Sequence, residues 1–142
     1  MQKKCEAEIF ELHQFFVEWM TGAQPRTPRA FERFDKVISD GFVIISPDGV
    51  LTKRAPLCDQ LEAAHGVHCE AAKNFRIWIE DYQCRRTEGD ICLVTYQEWQ
   101  QLSGATTGRL STALFRSCPD TPNEVKWLHV HETWLPGQAA PT

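Results

Sequence analysis

The sequence lacks the patterns that mark several common functional classes. No stripe of lysines and arginines collects on one predicted element, and the formal net charge is −4. Because affinity for nucleic acid rests on neutralising phosphates, this pattern argues against a nucleic-acid partner. No apolar stretch approaches the roughly 20 residues that span a bilayer. We therefore expect neither a nucleic acid nor a membrane as partner.

The N-terminal segment also lacks the apolar run of a secretion signal. Lys3 and Lys4 could open such a signal, but Glu6, Glu8 and Glu11 follow them closely. A signal peptide needs an uninterrupted apolar segment after its basic residues. We therefore expect a cytoplasmic protein.

The six cysteines form no C-x-x-C pair and no other spacing typical of metal ligands. Cys84 and Cys92 fall in predicted strands, where a reduced cysteine acts as a small buried side chain. The Cys and His residues that zinc would need lie on separate predicted elements. We expect reduced structural thiols, no metal site and no cofactor. The cysteines are Cys5, Cys58, Cys69, Cys84, Cys92 and Cys118.

Large aromatic side chains, by contrast, are abundant for a chain of 142 residues, with 5 Trp and 8 Phe. One domain accounts for this length, and a hydrophobic fraction of 42% suffices for one core. Each aromatic side chain buries a large area, so this composition suits either a core or a cavity that holds a ligand.

Helical spacing dominates the first part of the chain. Apolar residues recur at helical intervals over Glu6–Met20. Thr27 and Pro28 predict the cap and the first turn of a second helix, which we expect to reach Gly41. We predict a third helix over Pro56–Gly66.

Runs of β-branched and aromatic residues interrupt and follow these helices. Phe42–Ser46 and Val50–Thr52 flank a Pro-Asp-Gly turn and predict a short hairpin between the second and third helices. Four long strands come last. They are predicted over Phe75–Arg86, Ile91–Leu102, Arg109–Cys118 and Val125–Trp134.

This order predicts an α+β fold in which three N-terminal helices pack on a strongly curved, mainly antiparallel sheet of four long strands plus a short hairpin. Long strands in such a sheet must twist and curl. A curled sheet closed by helices leaves a cone with a pocket. We predict one domain over residues 1–137 and a tail over residues 138–142.

Three segments of the sequence resemble the nuclear transport factor 2-like superfamily. They are the helix-to-hairpin junction Ile38–Gly49, the entry to the second long strand Gly89–Tyr96, and the last strand Trp127–Trp134. The nearest resemblance is to SnoaL-like and ketosteroid-isomerase-related small bacterial proteins of unassigned function. The resemblance covers nearly the whole chain in element order. It implies the cone fold and a homodimer formed through the outer face of the sheet.

The resemblance implies no single activity, because the superfamily contains enzymes and non-enzymes. The isomerases in it use a carboxylate base with a Tyr and a protonated Asp as hydrogen-bond donors. Here the first helix has Phe15, Phe16 and Trp19 and no Tyr, and the first short strand offers only Asp40 at its entrance. The isomerase constellation is therefore missing.

The last strand carries the main candidates for catalysis. Trp127, His129, His131 and Thr133 alternate along it, which predicts that they share one face of the sheet. Histidine titrates near neutral pH and often acts as a general base. The resemblance places His131 at a recurrent position, whereas His129 replaces an aliphatic residue and Thr133 replaces a second histidine. The alternative is a pair of half-buried structural histidines beside Trp127. The candidate catalytic residues are His131, His129 and Glu98.

Candidates for lining the pocket lie on other strands as well. Tyr96 and Glu98 share a face of their predicted strand. If this face points inwards, burial would raise the pKa of Glu98. If it points outwards, Glu98 would pair with Arg109 or Arg116 across the strands. An inward Arg116 would imply a ligand with a carboxylate, whereas an outward one is ordinary surface. The predicted pocket residues are Trp19, Trp78, Tyr96, Arg116, Trp127, His129 and His131.

Three functions fit these patterns. The first is a small-molecule-binding domain without assigned catalysis, whose ligand is small and apolar or carries a carboxylate. The second is a SnoaL-like or isomerase-like enzyme, with isomerase or cyclase-like lyase chemistry, that uses His131 or His129 as general base beside Tyr96 or Glu98. The third is a homo-oligomeric assembly domain. We also expect a homodimer, because Trp99 and Trp134 would otherwise form an exposed apolar patch if both point outwards.

Overall fold

The computed structural model describes residues 1–139, so residues 140–142 of the predicted tail lie outside it. Within the described residues, no helix has the length and apolar character needed to cross a membrane. A short 3-10 helix, Ala72–Asn74, precedes the third strand. The helices and strands are α1 (Gln2–Thr21), α2 (Pro28–Asp35), β1 (Ile38–Ile45), β2 (Leu51–Lys53), α3 (Arg54–Ala63), β3 (Phe75–Glu88), β4 (Ile91–Leu102), β5 (Ala105–Ser117) and β6 (Val125–Trp134).

The six strands form one sheet in the order β2-β1-β6-β5-β4-β3. Neighbouring strands are antiparallel except for β1 and β6, which pair in parallel. The predicted hairpin of β1 and β2 is therefore not separate from the long strands but extends their sheet through β6. The predicted class, three helices on a curved and mainly antiparallel sheet, is confirmed.

The sheet contains irregular pairings that accompany its curvature. The register of β3 against β4 shifts between Glu80 and Gln83, and the register of β5 against β6 shifts between Leu114 and Phe115. A bulge of this kind bends a strand and increases its local twist. The helices lie on the concave face, where α1 packs mainly against β3.

The second helix is shorter than the sequence predicts. The expected extension to Gly41 is wrong, because α2 ends at Asp35 and β1 begins at Ile38. Arg54 of α3 donates from Nη2 to the main-chain oxygen of Asp35 at 2.7 Å, which satisfies a carbonyl at the end of α2. Ile38 is then free to pair with Trp127 of β6, and tertiary pairing thereby overrides the helical spacing.

The carboxylate of Glu8, on α1, is fully buried and connects several parts of the fold. Arg33 of α2 donates to both of its oxygens, at 2.8 and 3.1 Å. Trp127 of β6 donates from Nε1 at 2.9 Å, and Asn123 in the loop before β6 donates from Nδ2 at 3.0 Å. A buried carboxylate is tolerated where its charge and lone pairs are matched in this way. The contacts fix α1 against α2 and against the sheet.

Replacing Glu8 with Gln should lower the free energy of unfolding by about 3 kcal/mol, because the partly buried Arg33 loses its anionic partner and a buried amide group then faces other donors. Urea denaturation followed by tryptophan fluorescence measures this change. The matched control is Glu11→Gln, since the side chain of Glu11 is 54% exposed and lies 3.9 Å from Arg33. We expect the control to change stability by less than about 0.5 kcal/mol. Equal losses in the two variants would contradict the role given to Glu8.

Candidate functional site

A cavity of about 370 Å³ lies between the helices and the concave face of the sheet. Its size falls within the range of small-molecule sites, roughly 300–1,000 Å³. All three helices and five of the strands contribute to a mostly apolar wall. Apolar residues of the wall include Leu12, Phe16, Phe34, Leu61, Ile77 and Val130.

Polar side chains gather in one part of this wall because of strand alternation. Tyr96 and Glu98 occupy successive inward positions of β4. The register places Arg109 of β5 opposite Glu98, and it places Ser111 opposite both Tyr96 and Glu132 of β6. The helix α1 adds a histidine from above. We call the five lining residues of this group the polar end: His13, Tyr96, Glu98, Arg109 and Glu132.

His13 and Glu98 form a buried ion pair at the polar end. His13 donates from Nε2 to Glu98 at 2.9 Å and from Nδ1 to the main-chain oxygen of Ile9 at 2.7 Å, so both ring nitrogens face acceptors. Burial alone would lower the pKa of His13, but the charge and hydrogen bond of Glu98 raise it above its ordinary value. Burial would likewise raise the pKa of Glu98, but His13 and then Arg109 lower it. Each partner therefore favours the charged form of the other, with His13 protonated and Glu98 ionised.

Glu132 has weaker support than Glu98 and behaves differently. Its carboxylate accepts hydrogen bonds from Ser111 Oγ at 3.2 Å and from Arg109 Nη1 at 3.3 Å. Burial and the negative charge of Glu98 raise the pKa of Glu132 to about 7, although Arg109 and Ser111 act in the opposite direction. Glu132 therefore exchanges a proton near neutral pH, while Glu98 stays ionised. Two neighbouring carboxylates with separated pKa values are a common feature of functional sites.

Two residues of the polar end, Arg109 and Tyr96, carry hydrogen-bond donors and line the cavity. Arg109 Nε is buried and has no hydrogen-bond partner in the part of the chain that the structure describes. A buried donor without a partner costs about 1–3 kcal/mol. Burial, with the charges of Glu98 and Glu132, raises the pKa of Tyr96 well above its ordinary value, so its hydroxyl stays protonated.

Three of the residues predicted from sequence line the cavity: Tyr96, Glu98 and Trp127. Glu98 points inwards, in contrast to the predicted alternative of an outward carboxylate. The sequence offered Arg109 as an outward partner of Glu98. In the structure Arg109 lies opposite Glu98 on the inward face of the sheet. Trp127 also lines the cavity, and its indole Nε1 donates to Glu8 in the core.

Trp19, Trp78 and Arg116 lie outside the cavity wall, which corrects their predicted position. Trp19 is buried between α1 and α3, where its Nε1 donates to the main-chain oxygen of Leu61 at 2.7 Å. Trp78 is on the outer face of the sheet and stacks on Trp99, with ring centroids 6.2 Å apart. The side chain of Arg116 is 57% exposed at the surface.

A bulge in the last strand pair separates the residues that were expected to share a face. The register of β5 and β6 shifts opposite Trp127 and His129, so the inward positions after Trp127 are Val130 and Glu132. His131 is exposed, and His129 is partly buried outside the cavity wall. The predicted pocket position of both histidines is therefore corrected.

Sequence reasoning misses three residues of the polar end. His13 carries a usable signal, because it lies four residues after Ile9 in the buried stripe of α1. Arg109 and Glu132 carry none, since their inward direction depends on strand register and on the bulge, which simple alternation does not reveal.

Sequence comparisons relate this chain to part of a family of larger proteins. The family model described as "Sucrose-6-phosphate phosphohydrolase C-terminal" matches residues 5–136. Sucrose-phosphatase 1 of Nicotiana tabacum is 26% identical over 134 residues, which cover 94% of this chain and 31% of that protein. Probable sucrose-phosphatase 3a of Arabidopsis thaliana is 23% identical over 128 residues, which cover 90% and 29%. The chain thus spans about three-tenths of the length of the curated relatives it matches.

Solved structures share the fold. An NTF-2-like protein of unknown function from Pseudomonas aeruginosa superposes with a TM-score of 0.78 at 20% identity, covering 93% of this chain and 98% of that chain. The CaMKII hub of S. rosetta superposes with a TM-score of 0.68 at 15% identity, covering 94% and 95%. Likeness at these identities shows the fold, and the predicted resemblance to the nuclear transport factor 2-like superfamily is confirmed at that level.

Replacing Glu132 with Gln should stabilise the protein at higher pH. A carboxyl whose folded-state pKa is raised contributes stability below its ordinary value of 4.5, and this contribution is lost as the pH rises to about 7. A neutral amide does not lose it. The difference in unfolding free energy between the variant and wild type should therefore shift in favour of the variant by about 3 kcal/mol from pH 4 to pH 8.

Urea denaturation across this pH range measures the effect. The exposed Glu62 provides the control, and Glu62→Gln should differ from wild type by less than about 0.5 kcal/mol at every pH. If Glu132→Gln differed from wild type by the same amount at both ends of the range, the raised pKa of Glu132 would be refuted.

Proposed function

We propose that this chain, which belongs to the sucrose-6-phosphate phosphohydrolase C-terminal family, is a small-molecule-binding domain that holds its ligand in the cavity between helices and sheet. The observation that carries the proposal is the polar end, a few convergent polar groups in an otherwise apolar cavity. Binding sites for small molecules have this composition, with apolar walls for affinity and a few polar groups for orientation.

The cost of the polar end supports a role in binding. A buried ion pair such as His13–Glu98 contributes little to stability, because desolvation of both charges offsets their attraction. Glu132 is destabilising when ionised, since burial and the charge of Glu98 oppose its negative form. Groups that weaken the fold yet line a cavity are better explained by a ligand than by packing.

The charges of the cavity disfavour a phosphate as its main ligand group. Among the Lys and Arg residues within 1–139, Arg109 is the one that lines the cavity. Its side chain already contacts Glu132. A phosphate dianion needs several cations or main-chain donors. The activity in the names of the larger relatives therefore does not enter our proposal for this chain, whose ligand we expect to be apolar with one polar group.

Catalysis by the histidines of the last strand is not part of the proposal. A general base must lie within hydrogen-bond reach of its substrate. His129 and His131 lie outside the cavity wall, where they cannot contact a molecule bound inside it. A cytoplasmic location and a domain that ends near residue 137 remain predictions.

Filling the cavity tests the binding proposal. The neutral fluorescent probe N-phenyl-1-naphthylamine should bind wild type with saturation at one molecule per chain. Ile77→Trp should weaken this binding by at least about tenfold, because the larger side chain of this cavity residue occupies the probe's volume. The control is Arg76→Trp, which adds the same indole at the neighbouring exposed position of β3. Absence of saturable binding to wild type, or equal affinity in both variants, would reject the proposal.

We also propose that two copies of the chain associate through the outer face of the sheet. Trp78 and Trp99 stack there, and Leu110 is 37% exposed. Gly108 lets the indole of Trp99 lie flat, since a Cβ at this glycine would come within 2.7 Å of the ring. Trp134, in contrast, lies under Arg109 on the other face, 5.1 Å from it. The likeness to the CaMKII hub of S. rosetta supports this second function.

Light scattering after size-exclusion chromatography should give wild type twice the chain mass of 16.3 kDa. Leu110→Asp should convert it to single chains, because the charge would be buried without a partner in the interface. Val67→Asp is the control, since Val67 is 60% exposed in the loop after α3, away from the outer face. Single-chain mass for wild type at high concentration, or loss of the dimer in the control, would count against this interface.

A further inference from the structure

The ionisable groups around Glu132 come from three other elements. They are His13 on α1, Tyr96 and Glu98 on β4, and Arg109 on β5. On the other side, β1 brings Ile44 against Val130 and adds no charge to the cavity wall there. His68 also lines the cavity, but it packs on Phe75, which pairs with Leu102, four residues beyond Glu98 along β4. The charge next to Glu132 is therefore set by four residues: His13, Tyr96, Glu98 and Arg109.

The polar end has two charge states that differ by one proton. When Glu132 is ionised, the cations His13 and Arg109 balance the carboxylates Glu98 and Glu132. When Glu132 is protonated, one net positive charge remains. The raised pKa of Glu132 makes both states accessible near neutral pH. The protonated state is complementary to a single negative charge in the cavity.

Arg109 is positioned to receive that charge. Its contact with Glu132 is long, at 3.3 Å from Nη1, and its buried Nε lacks a hydrogen-bond partner within residues 1–139. A guanidinium beside a neutral carboxyl matches a carboxylate, which would accept from the Arg109 guanidinium and from the protonated Glu132, both of which line the cavity. The hydroxyl of Tyr96, which stays protonated, supplies a further donor on the same wall.

On the basis of the binding function proposed above, we infer that the ligand of this cavity is an apolar monocarboxylic acid, bound as its anion together with one proton that Glu132 takes up. An amine would face the guanidinium with like charge. An alcohol would leave the net charge of the protonated state unmatched and would not change the protonation of Glu132. A dianion would exceed the single positive charge that the polar end provides.

A matched series of naphthalene compounds tests this inference, because aromatic side chains such as Phe16, Phe34 and Trp127 line the cavity. The probes are 2-naphthoate, 2-naphthalenemethanol and 2-naphthylmethylamine, which share the ring system and differ in the polar group. Isothermal titration calorimetry should show that wild type binds 2-naphthoate at least about tenfold more tightly than the alcohol at pH 6.5, and the amine least tightly.

The affinity for 2-naphthoate should fall by up to about tenfold per pH unit above pH 7, because the anion then has to bind with a proton from solvent. The affinity for the alcohol should stay constant. Titrations at pH 8 in phosphate and in Tris, which release different heats on deprotonation, should show uptake of close to one proton with 2-naphthoate and none with the alcohol.

Variants separate the proton uptake by Glu132 from the recognition of the carboxylate by Arg109. Glu132→Gln keeps a neutral donor at every pH, so it should bind 2-naphthoate with constant affinity, without proton uptake, and about tenfold more tightly than wild type at pH 8. Arg109→Gln should remove the preference for the acid over the alcohol, and Arg109→Met, which also removes the positive charge, serves the same purpose if the glutamine variant does not fold. Arg116→Gln, at an exposed arginine away from the cavity, is the control and should match wild type.

The outcomes distinguish this inference from the function on which it rests. Equal binding of all three probes would overturn the preference for an acid and leave a binding cavity in place. If neither the three probes nor N-phenyl-1-naphthylamine bound to wild type, the binding function itself would be overturned. A pH dependence that persists in Glu132→Gln would overturn the proton uptake by Glu132.

Discussion

The fold depends on the buried carboxylate of Glu8, which fixes the rotation and height of α1 above the sheet. Its contacts to Arg33 and Trp127 tie the helix to α2 and to β6 at the same point. His13 lies five residues further along the same helix and is thereby placed over Glu98, 2.9 Å away. Trp127 links the two regions directly, since its ring also lies 6.4 Å from that of His13. A structural ion pair in the core therefore positions the polar end of the cavity.

The chemistry of the cavity follows from an unequal division of positive charge between two buried carboxylates. Glu98 has His13 as a close partner and Arg109 nearby, so its pKa is lowered. Glu132 shares Arg109 at longer range and feels the charge of Glu98, so its pKa is raised. Because both side chains lie on inward positions, of β4 and β6 on either side of β5, burial alone would have raised both pKa values. The placement of the His13 imidazole favours the ionised form of Glu98 and leaves Glu132 responsive to pH.

Local patterns in the sequence predict most of the fold, because they depend on neighbouring residues. Thr27 and Pro28 begin α2 as expected, with Thr27 Oγ1 accepting from the Ala30 amide at 3.2 Å. Pairings between distant segments do not leave such patterns. The parallel pair of β1 and β6 ends α2 early, and the bulge in β6 turns Glu132 inwards where alternation predicts His131. The predicted family resemblance supplies the cone, but the polar end emerges from strand register.

The central claim is that Glu132 is a pH-responsive group in a ligand cavity, and carbon-detected NMR of its carboxyl carbon tests this most directly. The free protein should show a titration midpoint near pH 7, and saturating 2-naphthoate should move the midpoint to higher pH. A midpoint near the ordinary value of 4.5 in the free protein, or one that the ligand leaves in place, would contradict the account.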